Sequence, residues 1–182
     1  MPGSGSSVEK RKAGRGVSPL LDGLLEGGAS VERVYDQIHS LVDNLPAWVA
    51  LRDLAGDYQL INAYAFEKAG HLAAAATREQ TLGRSVSDLF GPDVVAKFKA
   101  ADEEVLASGQ SVAYDMELPG PSGEPRTYEF TTYPVRARDG EILGLGRHGL
   151  DVTEIRRERR EKEAAQQLLT TSFNYAPAGV AL

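Results

Sequence analysis

The stretch that decides the fold is PSGEPRTYEFTTYPVRARDGEILGLGRHGLDVTE, residues 121–154. It contains two runs rich in β-branched and aromatic residues, 126–137 and 141–152, with RDG between them. An Asp-Gly pair supplies the backbone conformations that tight turns between antiparallel strands need. The stretch therefore predicts two antiparallel strands, and a third strand-like run, SVAYDMELPG at 111–120, precedes them.

Two shorter strand-like runs lie upstream, AWVALRD at 47–53 and YQLINA at 58–63, and the LAGD between them has turn chemistry. The residues from 63 to 108 are helical in pieces, and the longest piece has a proline near its start and Ser-Gly at its end. This order of elements predicts an α+β fold, with a five-stranded antiparallel sheet and short helices on one face.

Residues 30–45 predict an amphipathic helix on the N-terminal side of the sheet. Apolar residues recur there at helical spacing, Ser30 can cap the start, and Pro46 ends the helix. Such an apolar face favours contact with a second copy of the chain, and folding back onto the sheet is the monomeric alternative. The candidate dimer-interface residues are Val34, Tyr35, Ile38, Leu41 and Val42.

Residues 154–171 predict a second flanking helix, whose middle is nearly all charge. A solvated helix of a monomer is one interpretation. A short coiled coil is the other. Its seam positions are Val152, Ile155, Arg159, Lys162, Gln166 and Leu169.

Composition narrows the possible functions. The 182 residues carry a net charge of −6 and include no cysteine. The acidic balance argues against a nucleic-acid partner and an anionic membrane surface, and the lack of thiols excludes disulfides, thiolate nucleophiles and Cys-based zinc sites. No apolar run approaches the roughly 20 residues of a membrane span. We expect a cytoplasmic protein, and a disordered tail at 1–29 that is rich in Gly, Ser and charge.

The sequence holds no organised catalytic or metal-binding motif. Several carboxylates, such as Asp88, Asp93 and Asp102, lie on predicted helices without a nucleophile or base beside them. GLGRHG at 144–149 resembles a dinucleotide fingerprint, yet no suitable helix follows it. We expect no catalytic residues and no metal site.

Residues 45–154 resemble a PAS domain, a small sensor fold. The likeness rests on three segments: LPAWVALRDLAGDYQLINAYAFEKAG, TLGRSVSDLFGPDVVAKF, and the closing strands that end in Asp151-Val152-Thr153. It implies a PAS domain at 46–153, flanked by the helices at 30–45 and 154–171. Residues 172–182 are similar to the beginning of a second, truncated PAS domain.

The resemblance also implies a role for Asp151, Val152 and Thr153. In the family this junction transmits signals from the sheet to the helix that follows. From the residues alone it is a helix start, where Asp151 or Thr153 can accept amide hydrogen bonds.

Strand alternation places a set of side chains on one face of the sheet. By the resemblance to PAS domains, this face is the one that faces a ligand. The candidate pocket residues are Tyr114, Met116, Leu118, Tyr128, Phe130, Thr132, Leu145 and Arg147. Arg147 stands out because a buried charge is costly unless it is paired. It predicts an anionic ligand, an internal pair with a helix carboxylate, or a register in which Arg147 faces outward and His148 inward.

The resemblance excludes two cofactors. Flavin photoreceptors of the family need a cysteine where this chain has Val86, and haem sensors take a histidine from the long helix, which has none. We expect neither flavin nor haem, and a small apolar or anionic ligand instead.

The function implied is a non-catalytic sensor and dimerisation module in the N-terminal part of a multidomain signalling protein. The output domain would be a cyclic-dinucleotide cyclase or phosphodiesterase, a histidine kinase or a phosphatase. The alternative is a ligand-free structural adaptor with a filled core.

Overall fold

The computed structural model describes residues 31–174 of the chain, and side chains are described from 32 to 171. Two predictions lie outside the described residues: the disordered tail at 1–29, and residues 175–182 of the predicted second domain. The elements, in chain order, are α1 (Val31–Asp43), β1 (Trp48–Asp53), β2 (Tyr58–Ile61), α2 (Ala63–Ala69), two short 3₁₀ turns (Gly70–Leu72 and Arg78–Thr81), α3 (Val86–Leu89), α4 (Pro92–Ser108), β3 (Val112–Pro119), β4 (Pro125–Arg136), β5 (Ile142–Asp151) and α5 (Thr153–Asn174).

The five strands form one antiparallel sheet in the order β2-β1-β5-β4-β3. The predicted fold class is confirmed. The LAGD and RDG turns lie where predicted, and Gly140 in the RDG turn has a φ of 95°, a conformation that glycine adopts without strain. The sheet places β5, the end of the decisive stretch, at its centre.

Cross-strand pairing fixes which side chains share the inner face. Arg147 on β5 lies opposite Ala50 on β1 and Thr132 on β4, and Phe130 lies opposite Tyr114 on β3. Residues directly opposite in an antiparallel pair point to the same side of the sheet. The predicted strand phase is therefore the one the fold adopts.

Helices α2 to α4 cover this inner face and complete the core. Ala65 of α2, Val86 of α3 and Phe98 of α4 pack in one cluster with Trp48 and Phe130 of the sheet. Burying side chains as large as Val86 and Phe98 stabilises the fold by roughly 1.5–3 kcal/mol each. Within residues 31–174, no helix is both long and apolar enough to span a bilayer.

The two flanking helices differ slightly from their predicted bounds. α1 ends at Asp43, two residues before the predicted end, and Leu45 donates its backbone N–H to the Val42 carbonyl. α5 continues to Asn174, so residues 172–174, predicted to open a second domain, belong to this helix.

Candidate ligand-binding and signal-transmission sites

All eight predicted pocket residues lie on the inner face of the sheet. Tyr114 is half-buried and the other seven are buried. Their side chains pack directly on one another and on the helices: the Phe130 ring stacks on Tyr114 and Tyr128 at centroid distances of 5.8 and 5.7 Å, and meets Phe98 of α4 edge-on at 5.6 Å. The predicted pocket wall is a packed aromatic layer.

Arg147 is the buried charge of this layer, with 1% of its surface exposed, whereas the neighbouring His148 faces outward and is exposed. The Nε of Arg147 donates to the Thr132 hydroxyl at 3.0 Å, and one of its Nη atoms donates to Asp102 on α4 at 2.7 Å. Its guanidinium carbon lies 3.8 Å from the centroid of the Phe98 ring, a close cation–π contact. The structure therefore contains the internal pair with a helix carboxylate, one of the three predicted arrangements.

A second arginine joins the same carboxylate. Arg52 on β1, 2% exposed, donates to both oxygens of Asp102 at 2.6 Å each. The pairing of β1 with β2 is irregular between Leu51 and Arg52. Such irregularities redirect side chains. We call Arg52, Asp102 and Arg147 the two-arginine cluster.

The charged form of Arg52 is stabilised more strongly within the cluster than the charged form of Arg147. Burial lowers the pKa of Arg147 below its usual value, and the charge of Arg52 lowers it further. Burial also opposes the charge of Arg52, but the hydrogen bonds and charge of Asp102 raise its pKa overall. The Asp102 carboxylate thus offsets the cost of burying the charge for Arg52 but not for Arg147.

Arg52 is not among the residues predicted for the site, and Asp102 is predicted only as a helix carboxylate without a role. The signal for Arg52 was available: it is two residues beyond Ala50 and four beyond Trp48, on the same side of a strand. No local pattern marks Asp102, because its partners lie 50 and 45 residues away in the chain.

A shallow depression opens beside the aromatic layer, between β2, α2 and α3. It is partly open to solvent and shallow, and Phe90 forms one wall with Ile61, Ala65 and Leu89. None of the eight predicted pocket residues lines it. It reaches the layer through Phe90, whose ring lies 6.3 Å from that of Phe98.

The junction between β5 and α5 is held by Asp151 and Thr153. Asp151 accepts the backbone N–H of Thr153 at 3.0 Å and its hydroxyl at 2.6 Å, and it pairs with Arg126 of β4 at 3.1 Å. The Thr153 hydroxyl accepts the backbone N–H of Thr127 on β4 at 2.9 Å, so this residue joins the helix start to the sheet. Val152 pairs through its backbone, donating its N–H to the Thr127 carbonyl at 2.9 Å.

One turn later, Arg156 forms a second connection between α5 and the sheet. Its guanidinium donates to both oxygens of Asp115 on β3, at 2.6 and 2.8 Å, and lies 3.4 Å from Glu129 on β4. Beyond this residue the described side chains of α5 are exposed up to Thr171. The helix is thus attached at its base.

A family model described as the PAS fold matches residues 42–157. The chain belongs to the PAS family. Among curated proteins, no sequence matches the chain.

Two solved structures of VqmA from Vibrio cholerae resemble this PAS domain: a complex with ligand and DNA, and the dimer without its target DNA. They are 30% and 28% identical to the chain, cover 65% and 66% of it, and have TM-scores of 0.54 and 0.55. The chain covers 51% and 52% of the VqmA chains, so it spans about half their length.

A PAS domain from Colwellia psychrerythraea shares the fold, with 16% identity, a TM-score of 0.51, and coverage of 66% of this chain and 98% of that one. The expectation of no nucleic-acid partner finds no support in these comparisons, because one VqmA structure contains DNA. It stays a prediction.

The candidate dimer residues of this PAS domain lie along α1. Leu41 is 68% exposed, and Val34, Tyr35, Ile38 and Val42 are half-buried. The helix is joined to the domain at its C-terminal end, where Asn62 donates to the Val42 carbonyl at 2.8 Å and Arg78 pairs with Asp43 at 2.6 Å.

Proposed function

We propose that this chain is a non-catalytic PAS sensor and dimerisation module from the N-terminal part of a multidomain cytosolic signalling protein. It responds to a small molecule or partner at its core and passes the response through α5 to an output domain. It carries neither haem nor flavin.

The observation that carries the proposal is the continuous connection from the core to α5. Thr132 on β4 binds Arg147 in the core, and five residues earlier on the same strand Thr127 binds Thr153 at the start of α5. A shift of β4 or β5 that repacks the two-arginine cluster therefore also moves the groups that hold the helix. Coupling of this kind requires a packed element that both sites influence, which β4 provides.

The nature of the output domain follows from analogy alone. A cyclic-dinucleotide cyclase or phosphodiesterase, a histidine kinase and a phosphatase remain our candidates. The likeness to VqmA adds a DNA-binding output, since that protein, about twice as long as the matched region, is described with ligand and DNA.

A second candidate function is a ligand-free adaptor, and the tight packing of the aromatic layer favours it. The two functions differ in one testable property. A sensor couples changes in the core to α5, whereas an adaptor with a filled core needs no such coupling.

Amide hydrogen exchange on two neighbouring variants separates the candidates. Thr132→Val removes the hydroxyl that accepts from Arg147, whereas Thr131→Val makes the same change on the opposite face of β4. We expect Thr132→Val alone to change exchange at residues 153–157. Equal protection of these amides in both variants and the wild type would favour the adaptor.

A further inference from the structure

The core around the two-arginine cluster has an excess of hydrogen-bond donors. Within the described residues, the buried side-chain atoms without a partner are nitrogens: Arg52 Nε, Trp48 Nε1 and His39 Nε2. The first two are N–H donors on the inner face of β1, and both side chains are more than nine-tenths buried. A buried donor without an acceptor costs about 1–3 kcal/mol, so this region favours a ligand that brings oxygen acceptors.

The cluster also has an excess of positive charge. The groups that act electrostatically on Arg147 are Arg52, Asp102, Tyr58 and Tyr114. Burial raises the pKa of both tyrosines, so their hydroxyls are neutral at physiological pH. Two guanidiniums and one carboxylate leave one positive charge uncompensated, and burying such a charge is unfavourable.

The surroundings of this charge are aromatic. The Arg147 guanidinium lies on the Phe98 ring, and that of Arg52 lies 5.9 Å from the centroid of the Tyr58 ring. Planar groups stack favourably on such rings and on guanidiniums. Phe90 lines the shallow depression, and its ring centroid lies 6.3 Å from that of Phe98.

We propose that the two-arginine cluster binds a small aromatic monocarboxylate. The carboxylate of the ligand accepts the N–H of Arg52 Nε and neutralises the uncompensated charge, while Asp102 stays between the two guanidiniums. The ring of the ligand takes a place beside Phe98 that opens when the Phe90 and Phe98 rings rotate. This inference rests on the proposed sensor function and names the chemical class that the sensor detects.

Three planar probes of matched shape test the charge requirement: benzoate, neutral benzamide and cationic benzamidine. Isothermal titration of the wild-type chain should show benzoate binding at least about tenfold more tightly than benzamide, and no binding of benzamidine. Equal affinity for benzoate and benzamide, or no binding of benzoate, would overturn the proposal.

A matched pair of variants tests the location. Arg52→Gln removes one charge of the cluster and the unpaired Nε, whereas Arg78→Gln removes an arginine that pairs with Asp43 and lies outside the cluster. We expect Arg52→Gln to lose benzoate binding by at least about tenfold and Arg78→Gln to keep it. Unchanged affinity in Arg52→Gln would contradict the assignment.

Nuclear magnetic resonance gives a direct measurement that needs no variant. The chain has a single tryptophan, so its indole N–H gives one resolved signal. Benzoate should shift the Arg52 Nε–H signal and the Trp48 indole signal together, because ligand and rings repack on one face. Saturation with benzoate that leaves the Arg52 signal in place would overturn the proposal.

The two proposals fail in different experiments. Exchange at residues 153–157 in the Thr132 and Thr131 variants uses no ligand, so it tests the coupling alone. Coupling without benzoate binding rejects the monocarboxylate, and benzoate binding without coupling rejects the sensor.

Discussion

Asp102 on α4 binds Arg52 on β1 through two parallel hydrogen bonds of 2.6 Å, and so joins the longest helix of the core to the sheet. Paired N–H···O bonds of this geometry are stronger than single ones and fix the orientation of both groups. Since Asp102 also accepts from Arg147, one side chain determines the charge balance of the core.

Replacing Asp102 with Asn should destabilise the fold by about 3–5 kcal/mol, because two buried guanidiniums would lose their shared counter-charge. Urea unfolding followed by circular dichroism measures the change. Glu103→Gln, an exposed carboxylate one position along α4, is the control and should stay within about 0.5 kcal/mol. A loss below 1 kcal/mol in Asp102→Asn would contradict the pairing.

Gly149→Ala tests the close packing of β5 against the aromatic layer. A Cβ at this position would lie 2.4 Å from Cε1 of Phe130, so the ring must move. Overpacking of this kind costs about 1–3 kcal/mol. Thermal unfolding should show a lower midpoint for this variant than for His148→Ala, its exposed neighbour. Equal midpoints would mean that the Phe130 ring yields without strain.

Asp151 should make the stability of the fold depend on acidic pH. Burial opposes the charged form, but the hydrogen bonds from Thr153 and the Arg126 guanidinium outweigh it and lower the pKa of Asp151. A depressed native pKa means that the stabilisation is complete above the unfolded pKa and is lost as pH falls through the native one. Asp151→Asn should therefore cost roughly 1 kcal/mol near neutral pH.

The difference between Asp151→Asn and the wild type should shrink as pH falls from about 4 toward 2, because the wild-type carboxyl then becomes protonated as well. Urea unfolding at a series of pH values measures it. A difference that remains constant down to pH 2 would show that the charge of Asp151 is irrelevant.

The Arg156–Asp115 pair should hold the base of α5. Both side chains are partly exposed, so a double-mutant cycle with Arg156→Gln and Asp115→Asn should give a coupling energy of about 0.2–1 kcal/mol that decreases with salt. Arg159→Gln, whose partner Glu163 lies within the same helix, should leave the attachment to the sheet unchanged. Amide exchange around residue 156 should become faster in Arg156→Gln and stay unchanged in Arg159→Gln. The reverse result would contradict this role.

Ile38→Asp should weaken the proposed dimer, because it places a carboxylate in the apolar face of α1. Leu41→Asp should act in the same way without harming the monomer, since Leu41 is 68% exposed. Gln37→Asp, at an exposed position of the same helix, is the control. Light scattering over a concentration series measures association. A wild-type chain that stays monomeric at high concentration, or a dimer unaffected by both apolar replacements, would reject the interface.

The fold was predictable because its main signals are local. Strand alternation identified the inner face, and the Asp-Gly turn at 139–140 paired β4 with β5. The candidate site was predictable only in part. Arg147 follows the strand period, but its contact with Asp102 depends on how α4 lies across the sheet, which short-range periodicity does not encode.

The role of Thr153 illustrates a different limit. A hydroxyl at a helix start indicates a cap. Here it accepts from Thr127 of β4, 26 residues earlier in the chain. The residue type was consistent with either partner, and only the position of β4 decides between them.

Because α5 is attached to the sheet through its first turns, a small tilt at its start displaces its far end by a larger distance. Its 22 residues extend for about 33 Å at 1.5 Å per residue. A tilt of about 5° at the base moves the far end of such a helix by about 3 Å, comparable to the spacing between two hydrogen-bonded atoms. Small displacements of β3 and β4, which hold Arg156 through Asp115 and Glu129, are therefore magnified along the helix. The sheet would need to move only by fractions of an ångström for a neighbour at the end of α5 to lose or gain a contact.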